Sequence, residues 1–175
     1  MPLKAPENRK AIHKRNVFCC GYKRNDNLWD IEGYLIDTKT YNFKTWARGN
    51  IKAGTPVHEM SIRITIDSNL KIYDIDLDMS ANPYPSCPEV IPNFKELIGL
   101  EISKGFRKKV REIVGGIKGC THMMELLFPM ATTAFQTIYS LKNKTNSSPK
   151  LINSCHSWSE KSDVIKKEYP DHYKE

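Results

Sequence analysis

Residues 57–79 hold the feature that most constrains the fold: two alternating segments joined by a short polar turn. In the first segment four apolar side chains share one face, namely Met60, Ile62, Ile64 and Ile66. In the second segment aspartates alternate with apolar residues, which are Tyr73, Ile75, Leu77 and Met79. Successive side chains of a strand point to opposite faces, so each segment predicts a strand with one buried face. The turn at residues 67–69 predicts that the two strands form an antiparallel hairpin.

The apolar face of this hairpin needs a cover, and the second half of the chain contains a helical pattern that supplies one. From residue 121 to about residue 141, apolar side chains recur at spacings of three and four: Met123, Leu127, Met130, Ala134, Ile138 and Leu141. Pro129 lies inside this helix and should kink it or break it into two. Because strands come first and helices second, the sequence predicts the α+β class. We expect an antiparallel sheet with the hairpin 57–79 at its centre, covered by C-terminal helices.

The domain organisation follows from length and composition. A chain of 175 residues fits one domain, since two domains would each have a thin core. Hydrophobic residues make up 39% and charged residues 27%, which is typical of a globular protein. Residues 1–16 are basic and contain two prolines, so we expect a loose N-terminal arm. The remainder, residues 17–175, is predicted to form a single α+β domain.

The charge balance points to the kind of partner the chain favours. Lysine and arginine number 27 against 20 acidic residues, which gives a formal charge of +7. The basic residues concentrate at 9–24 and 104–111, so a protein partner with an acidic surface could bind this basic face. The aromatic residues fall in apolar patterns, which argues against a nucleic-acid platform. No apolar run approaches the roughly 18–20 residues of a membrane span, and there is no nucleotide-cofactor motif.

The five cysteines indicate a reducing compartment. They are an odd number, and the first ten residues lack the apolar segment of a secretory signal. We therefore expect free thiols or metal ligands rather than structural disulfides, in a cytoplasmic protein.

Three of the candidate chemical groups stand at junctions between predicted elements. His58 begins the hairpin, Cys87 lies in the proline-rich loop after it, and Cys120 precedes the long helix. Junctions of this kind can meet at one end of a sheet, where one imidazole and two thiolates would form part of a shell for zinc or an iron–sulfur cluster. The alternative is that Cys87 and Cys120 are small buried hydrophobic groups and that His58 is a hydrogen-bonded surface residue.

Three residues at the start of the long helix are candidates for acid–base or nucleophilic chemistry. His122 and Glu125 are three residues apart on the long helix, where a carboxylate can orient an imidazole. Cys120 stands at a helix N-terminus, a place that favours a nucleophilic thiolate. The candidate catalytic residues are therefore Cys120 and Glu125. The alternative for the His122–Glu125 pair is an ordinary surface hydrogen bond.

Four segments, residues 22–32, 54–60, 83–87 and 119–122, resemble an uncharacterised bacterial family of domains of unknown function (DUF family 2889). The resemblance covers nearly the whole chain, from about residue 9 to residue 169. Asn27 stands where members more often have glycine. The family carries no assigned activity, so this resemblance supports the unity of the domain.

A more distant resemblance, to NifU-type iron–sulfur scaffold proteins, implies a ligand set. Residues 54–64 resemble the glycine-rich turn, first ligand and alternating strand of that family, with His58 in place of the first ligand cysteine. Cys87 resembles the second ligand and Cys120 the third. Met60 stands where the family has an aspartate, so Glu59 or His122 would supply the fourth ligand. The resemblance implies a NifU-like α+β sandwich with a metal at one end. The histidine would either raise the potential of a cluster or suit zinc better than a labile cluster.

Three functions remain open from the sequence. The first is a metal-binding protein with a zinc or iron–sulfur site at His58, Cys87 and Cys120. The second is a small enzyme that uses a zinc-bound water assisted by Glu59 or Glu125, or the thiol of Cys120. The third is an adaptor whose basic face binds an acidic partner.

Overall fold

The computed structural model describes residues 3–142 and 151–175. Residues 142–150 have the polar sequence KNKTNSSPK, which predicts a linker, and from position 143 onward this segment lies outside the described residues. The chain divides into two compact units, one ending at residue 137 and the other spanning 138–175. The single α+β domain expected over residues 17–175 stays a prediction.

The first unit is built on an antiparallel sheet. Its described residues contain six strands, in chain order β1 (His13–Lys23), β2 (Trp29–Lys39), β3 (Phe43–Thr45), β4 (Gly49–Ile51), β5 (Pro56–Ile66) and β6 (Ile72–Ala81). Four of them form the main sheet in the order β1-β2-β5-β6, while β3 pairs with β4 in a separate ribbon. Together with the helices, this sheet confirms the predicted α+β class.

Two sequence predictions about the sheet need correction. The hairpin of β5 and β6 forms as predicted, but β6 is an edge strand, and the centre of the sheet is the pair β2–β5. β2 lies inside the sheet, between β1 and β5, because its buried side chains, among them Ile31 and Leu35, require neighbouring strands along both of its edges. Residues 13–16, assigned to the loose N-terminal arm, are instead the first residues of β1 and pair with β2.

The helical layer follows the strands. It contains a 3-10 segment (Cys87–Leu97), α1 (Phe106–Val114) and α2 (Thr121–Lys142), and the second unit adds the short α3 (Asp163–Glu168). The sequence predicts that Pro129 either kinks α2 or breaks it, and α2 remains one helix through Pro129, so of these two outcomes the break does not occur. None of the helices in the described part of the chain is long and apolar enough to cross a membrane.

α2 covers one face of the sheet, as the hairpin pattern required. The glycine at position 33 in β2 allows the close approach, because a Cβ there would collide with Met130 of α2 and make a tight contact with Leu126. Met60, Ile62, Ile64 and Ile66 of β5 are all at most 2% exposed. Along α2 the predicted stripe is buried from Met123 to Ile138, whereas Leu141 is exposed. We call the covered face of the sheet the inner face.

Candidate functional site

A carboxylate lies fully buried where the inner face reaches the end of β2. Asp37 has 0% exposure and stands in register with Arg15 of β1 and His58 of β5. Since side chains alternate along a strand, Asp37 shares the inner face with Ile31 and Leu35. A β-bulge between Asp37 and Thr38 follows immediately, and such bulges often re-aim side chains beside functional sites.

Both oxygens of the Asp37 carboxylate accept hydrogen bonds. Arg15 donates from Nε to Oδ1 (2.8 Å) and from Nη2 to Oδ2 (2.7 Å), which is a bidentate fork. His13 Nε2 lies 3.1 Å from Oδ1, and His58 Nδ1 lies 3.0 Å from Oδ2. Burial by itself raises the pKa of Asp37, but the hydrogen bonds from Arg15 and His13 and the nearby positive charge lower that pKa to about 2. The carboxylate is therefore ionised at neutral pH.

A third imidazole near Asp37, that of His122, comes from the first turn of α2. The rings of His58 and His122 stack with their centroids 3.7 Å apart and their planes 30° apart. His122 Nε2 lies 3.9 Å from Asp37 Oδ2. Burial lowers the pKa of both histidines, and the charge of Arg15 lowers the pKa of His122 further. At neutral pH both imidazoles are therefore neutral.

Asp37, His58 and His122 together offer three ligand atoms within 4.8 Å of one another. Two of these residues, His58 and His122, were candidates from the sequence, and His122 was one of the two proposed fourth ligands. In the described residues no cysteine belongs to a group that meets this distance. The predicted set of His58, Cys87 and Cys120 therefore stays a prediction, and the donors that the fold gathers are two imidazoles and a carboxylate.

The two candidate cysteines have different surroundings. Cys120 immediately precedes α2, and its Sγ lies 3.8 Å from Nδ1 of His122. Cys87 opens the 3-10 segment and is half-buried. Of the predicted thiols, Cys120 is thus the one in contact with a histidine of the cluster.

The two candidate acids lie outside the metal-ligand group. Glu59 follows His58 on β5, so it points to the opposite face, where the hydroxyl of Tyr34 donates a hydrogen bond to it. Glu125 is exposed on α2. The pKa of Arg15 is raised mainly by its hydrogen bond to Asp37. The negative charge of Glu125 makes a smaller contribution in the same direction, so Glu125 lies near the Arg15 guanidinium.

Sequence reasoning missed Asp37, Arg15 and His13, although one signal for Asp37 was present. The alternation that puts Trp29 and Ile31 on the buried face of β2 also puts Asp37 there, because all three are odd-numbered residues of one strand. An acid in a buried register is an informative exception. His13 and Arg15 were missed because residues 1–16 were interpreted as an arm rather than as part of a strand.

A shallow groove of about 250 Å³ lies on the opposite, outer face of the sheet. Residues that line it include Phe18, Tyr34, Ser61 and Asp78. In register terms these four residues form a row across the sheet, on the side away from the Asp37 carboxylate.

The fold and the site define an α+β protein in which a helix-backed antiparallel sheet carries a buried carboxylate surrounded by more exposed guanidinium and imidazole groups. The chain belongs to the family described as "Protein of unknown function (DUF2889)", whose model matches residues 13–136. These residues run from the first residue of β1 into the last third of α2 and contain the whole cluster. No curated protein and no solved structure matches the chain significantly.

Proposed function

We propose that this protein binds a divalent metal ion, best matched by zinc, through Asp37, His58 and His122. The observation that carries the proposal is the convergence of three ligand atoms within 4.8 Å, one from a buried carboxylate and two from half-buried imidazoles. Their protonation states suit the role, because zinc binds ionised carboxylates and neutral imidazoles. A pKa of about 2 for Asp37 and lowered pKa values for both histidines provide these states at neutral pH.

The chemistry of the donors favours zinc over an iron–sulfur cluster. Two imidazoles and one carboxylate form a ligand set used by catalytic zinc sites, which keep a fourth position open for water or substrate. Iron–sulfur clusters are held mainly by cysteine thiolates, and the group Asp37–His58–His122 contains none. An open coordination position supports an enzyme that uses a zinc-activated water.

Arg15 and His13 fit the role of groups that orient the carboxylate ligand. They hold Oδ1 of Asp37, while Oδ2 faces both histidines. Hydrogen bonds of this kind fix ligand orientation in metal sites. Arg15 also bonds Oδ2 through Nη2, so we expect metal binding to weaken that bond.

Metal binding requires the two stacked rings to separate. Zinc–nitrogen distances of about 2.0–2.1 Å and tetrahedral angles put the centroids of two ligating imidazoles roughly 5 Å apart. The rings of His58 and His122 are 3.7 Å apart, and nearly parallel rings cannot both direct an in-plane nitrogen at one ion. We therefore expect a rotation of one ring when zinc binds, which imidazole proton chemical shifts would report.

Metal content and zinc titration test the proposal. The tag-free protein should bind about one zinc per chain by elemental analysis and calorimetry, while Asp37→Asn and His122→Gln should bind far less. His156→Gln is the matched control, because His156 is exposed and lies outside the cluster. Zinc below about a tenth of an equivalent after titration would contradict the proposal, as would equal loss in the His156→Gln control.

A Cys87→Ser variant separates the two ligand sets. The proposal expects this variant to retain zinc, since Cys87 does not belong to the three-residue group. Loss of metal from Cys87→Ser with retention by His122→Gln would favour the sequence-predicted set of His58, Cys87 and Cys120. An anaerobic absorption spectrum with sulfide-to-iron charge-transfer bands would favour a cluster at that set.

The finer likeness to NifU-type scaffolds stays a proposal about architecture. The order of elements supports it: antiparallel strands, a cysteine-containing segment, and a cysteine that precedes a long helix.

The five free thiols support a cytoplasmic location, since reducing compartments keep thiols unpaired.

Thiol chemistry at Cys120 is the second candidate function. Its Sγ lies 3.8 Å from His122 Nδ1, and His122 Nε2 lies 3.9 Å from Asp37 Oδ2, so the three groups stand in series. A thiol, an imidazole and a carboxylate in this order form an activated nucleophile. Alkylation rates in EDTA test it: Cys120 should react faster than Cys155, and His122→Gln should remove the difference. Equal rates for the two thiols in the unmodified chain would contradict a nucleophilic Cys120.

A further inference from the structure

The helix α1 presents one apolar side and one strongly basic side. Phe106, Val110 and Val114 are buried, which places the remaining positions of the helix toward solvent or toward α2. Residues 104–118 contain six lysines and arginines and a single acid, Glu112. That acid already lies beside Lys108, with the nitrogen and oxygen atoms 3.9 Å apart.

Two arginines of α1 are held against one aromatic ring of α2. The Cζ atoms of Arg107 and Arg111 each lie 5.1 Å from the ring centroid of Phe128. Phe128 as a residue is 5% exposed. Guanidinium groups stack favourably on aromatic faces, and the two arginines are one helical turn apart, so this contact fixes both side chains together.

Within the described residues, neither guanidinium has a carboxylate at ion-pair distance. Their Cζ atoms are at most about 10 Å apart, because both lie 5.1 Å from the same point. We propose that Arg107 and Arg111, positioned by Phe128, bind the oxygens of a phosphoryl group. The guanidinium fork matches phosphate oxygens in a bidentate way, and stacking reduces the side-chain entropy lost on binding.

The ligand class is a phosphoryl anion, and two sources share that chemistry. One is a small soluble phosphate compound, and the other is the headgroup of an anionic lipid. Ile117, in the turn after α1, is a fully exposed apolar residue, of the kind that contacts lipid at a membrane surface. Inorganic pyrophosphate and vesicles that contain a phosphatidic acid fraction are the two probes that distinguish these sources.

Calorimetric titration with pyrophosphate, in EDTA and at constant ionic strength, tests the site independently of the metal proposal. We expect Arg107→Gln and Arg111→Gln each to weaken binding by roughly tenfold or more, as loss of a charge-assisted hydrogen bond predicts. Lys109→Gln is the matched control, since Lys109 lies on the same helix with the same charge and outside the contact with Phe128. It should weaken binding by less than about twofold.

Two conservative variants separate the fork from the charge. Arg111→Lys should bind more weakly than the wild type although the net charge is unchanged, because lysine lacks the planar fork. Phe128→Leu should weaken binding while circular dichroism shows an intact helix content. Equal weakening by Lys109→Gln and Arg111→Gln would overturn the proposal in favour of a diffuse basic field. Absence of binding to both pyrophosphate and vesicles would overturn it outright.

Discussion

Asp37 is a charged group at a place where a charge is costly. Its side chain has no exposure, and burial alone favours the protonated form. Arg15, His13 and His58 offset that cost through hydrogen bonds to both carboxylate oxygens. Residues whose pKa is strongly shifted, as that of Asp37 is, are common in functional sites. The same groups make the site sensitive to pH in two separate ranges.

The first prediction concerns Asp37. Because its pKa is lowered from 3.8 to about 2, the ionised carboxylate stabilises the folded state above pH 3.8, and this contribution is lost as the pH falls towards 2. The contribution is on the order of 2 kcal/mol. We expect Asp37→Asn to flatten the stability curve between pH 4 and 2, measured by urea unfolding. Asp171→Asn, at an exposed site, is the control, and an unchanged acid limb in Asp37→Asn would contradict the assignment.

The second prediction concerns the two histidines in the metal-free protein. Their folded-state pKa values are lowered from 6.5, chiefly by burial, so protonation favours the unfolded chain. Stability should be complete above pH 6.5 and should fall as the pH drops below it. We expect the His58→Gln and His122→Gln double variant in EDTA to lose this dependence in thermal unfolding. A slope below pH 6.5 that survives in the double variant would assign it to other groups.

At the scale of elements, β-bulges decide which side chains face the core. The hairpin pattern predicted Tyr73 on the buried face of β6, but Tyr73 is 53% exposed and Ile72 is buried. The register between β5 and β6 shifts between Thr65 and Ile66, so Ile66 pairs with Ile72. A bulge inserts one residue and thereby exchanges the faces on either side of it, which simple alternation does not reveal.

The third prediction concerns the contact between β2 and α2. Gly33→Val should destabilise the fold by about 1–3 kcal/mol, because the added side chain would collide with Met130 and Leu126. Chemical denaturation provides the measurement.

Glu32→Val is the matched control for this variant, since it places the same side chain on the outer face of the same strand. Glu32 is exposed, so we expect a change within about 0.5 kcal/mol. Equal stability of Gly33→Val and Glu32→Val would show that α2 does not lie against β2 at this point.

At the scale of the whole molecule, the cluster exists because four elements meet. Arg15 comes from β1, Asp37 from β2, His58 from β5 and His122 from α2, so the two most distant residues are separated by more than 100 positions in the chain. An ion bound by these groups would bind the folded state and not the unfolded chain. Such an ion should therefore stabilise the entire fold through linkage.

The fourth prediction follows from that linkage. Zinc at about 100 times its dissociation constant should stabilise the protein by about 2.7 kcal/mol and raise Tm by roughly 5–10 °C at pH 7. The increase should become smaller below pH 6.5, because protonated imidazoles do not bind zinc. His122→Gln should show no increase, whereas the His156→Gln control should match the wild type. A zinc-dependent rise in Tm that persists in His122→Gln would place the ion elsewhere.

The candidate site was only partly predictable from the sequence. His58 and His122 attract attention as histidines at the ends of predicted elements, and both belong to the cluster. Cys87 attracts the same attention but lies outside that cluster. Position at a junction does not fix which junctions share an end of the sheet, because strand order depends on long-range pairing.

The sequence by itself determined the α+β class, the β5–β6 hairpin and the length of α2, because alternation and helical periodicity are local properties of the chain. The tertiary structure decided that β2 lies beside β5, that residues 13–16 are part of a strand, and that Asp37 lies between Arg15 and His58. These outcomes depend on which apolar faces pack together across long stretches of chain. The charge of Asp37 is stabilised by partners more than 20 residues away, and no local pattern specifies them.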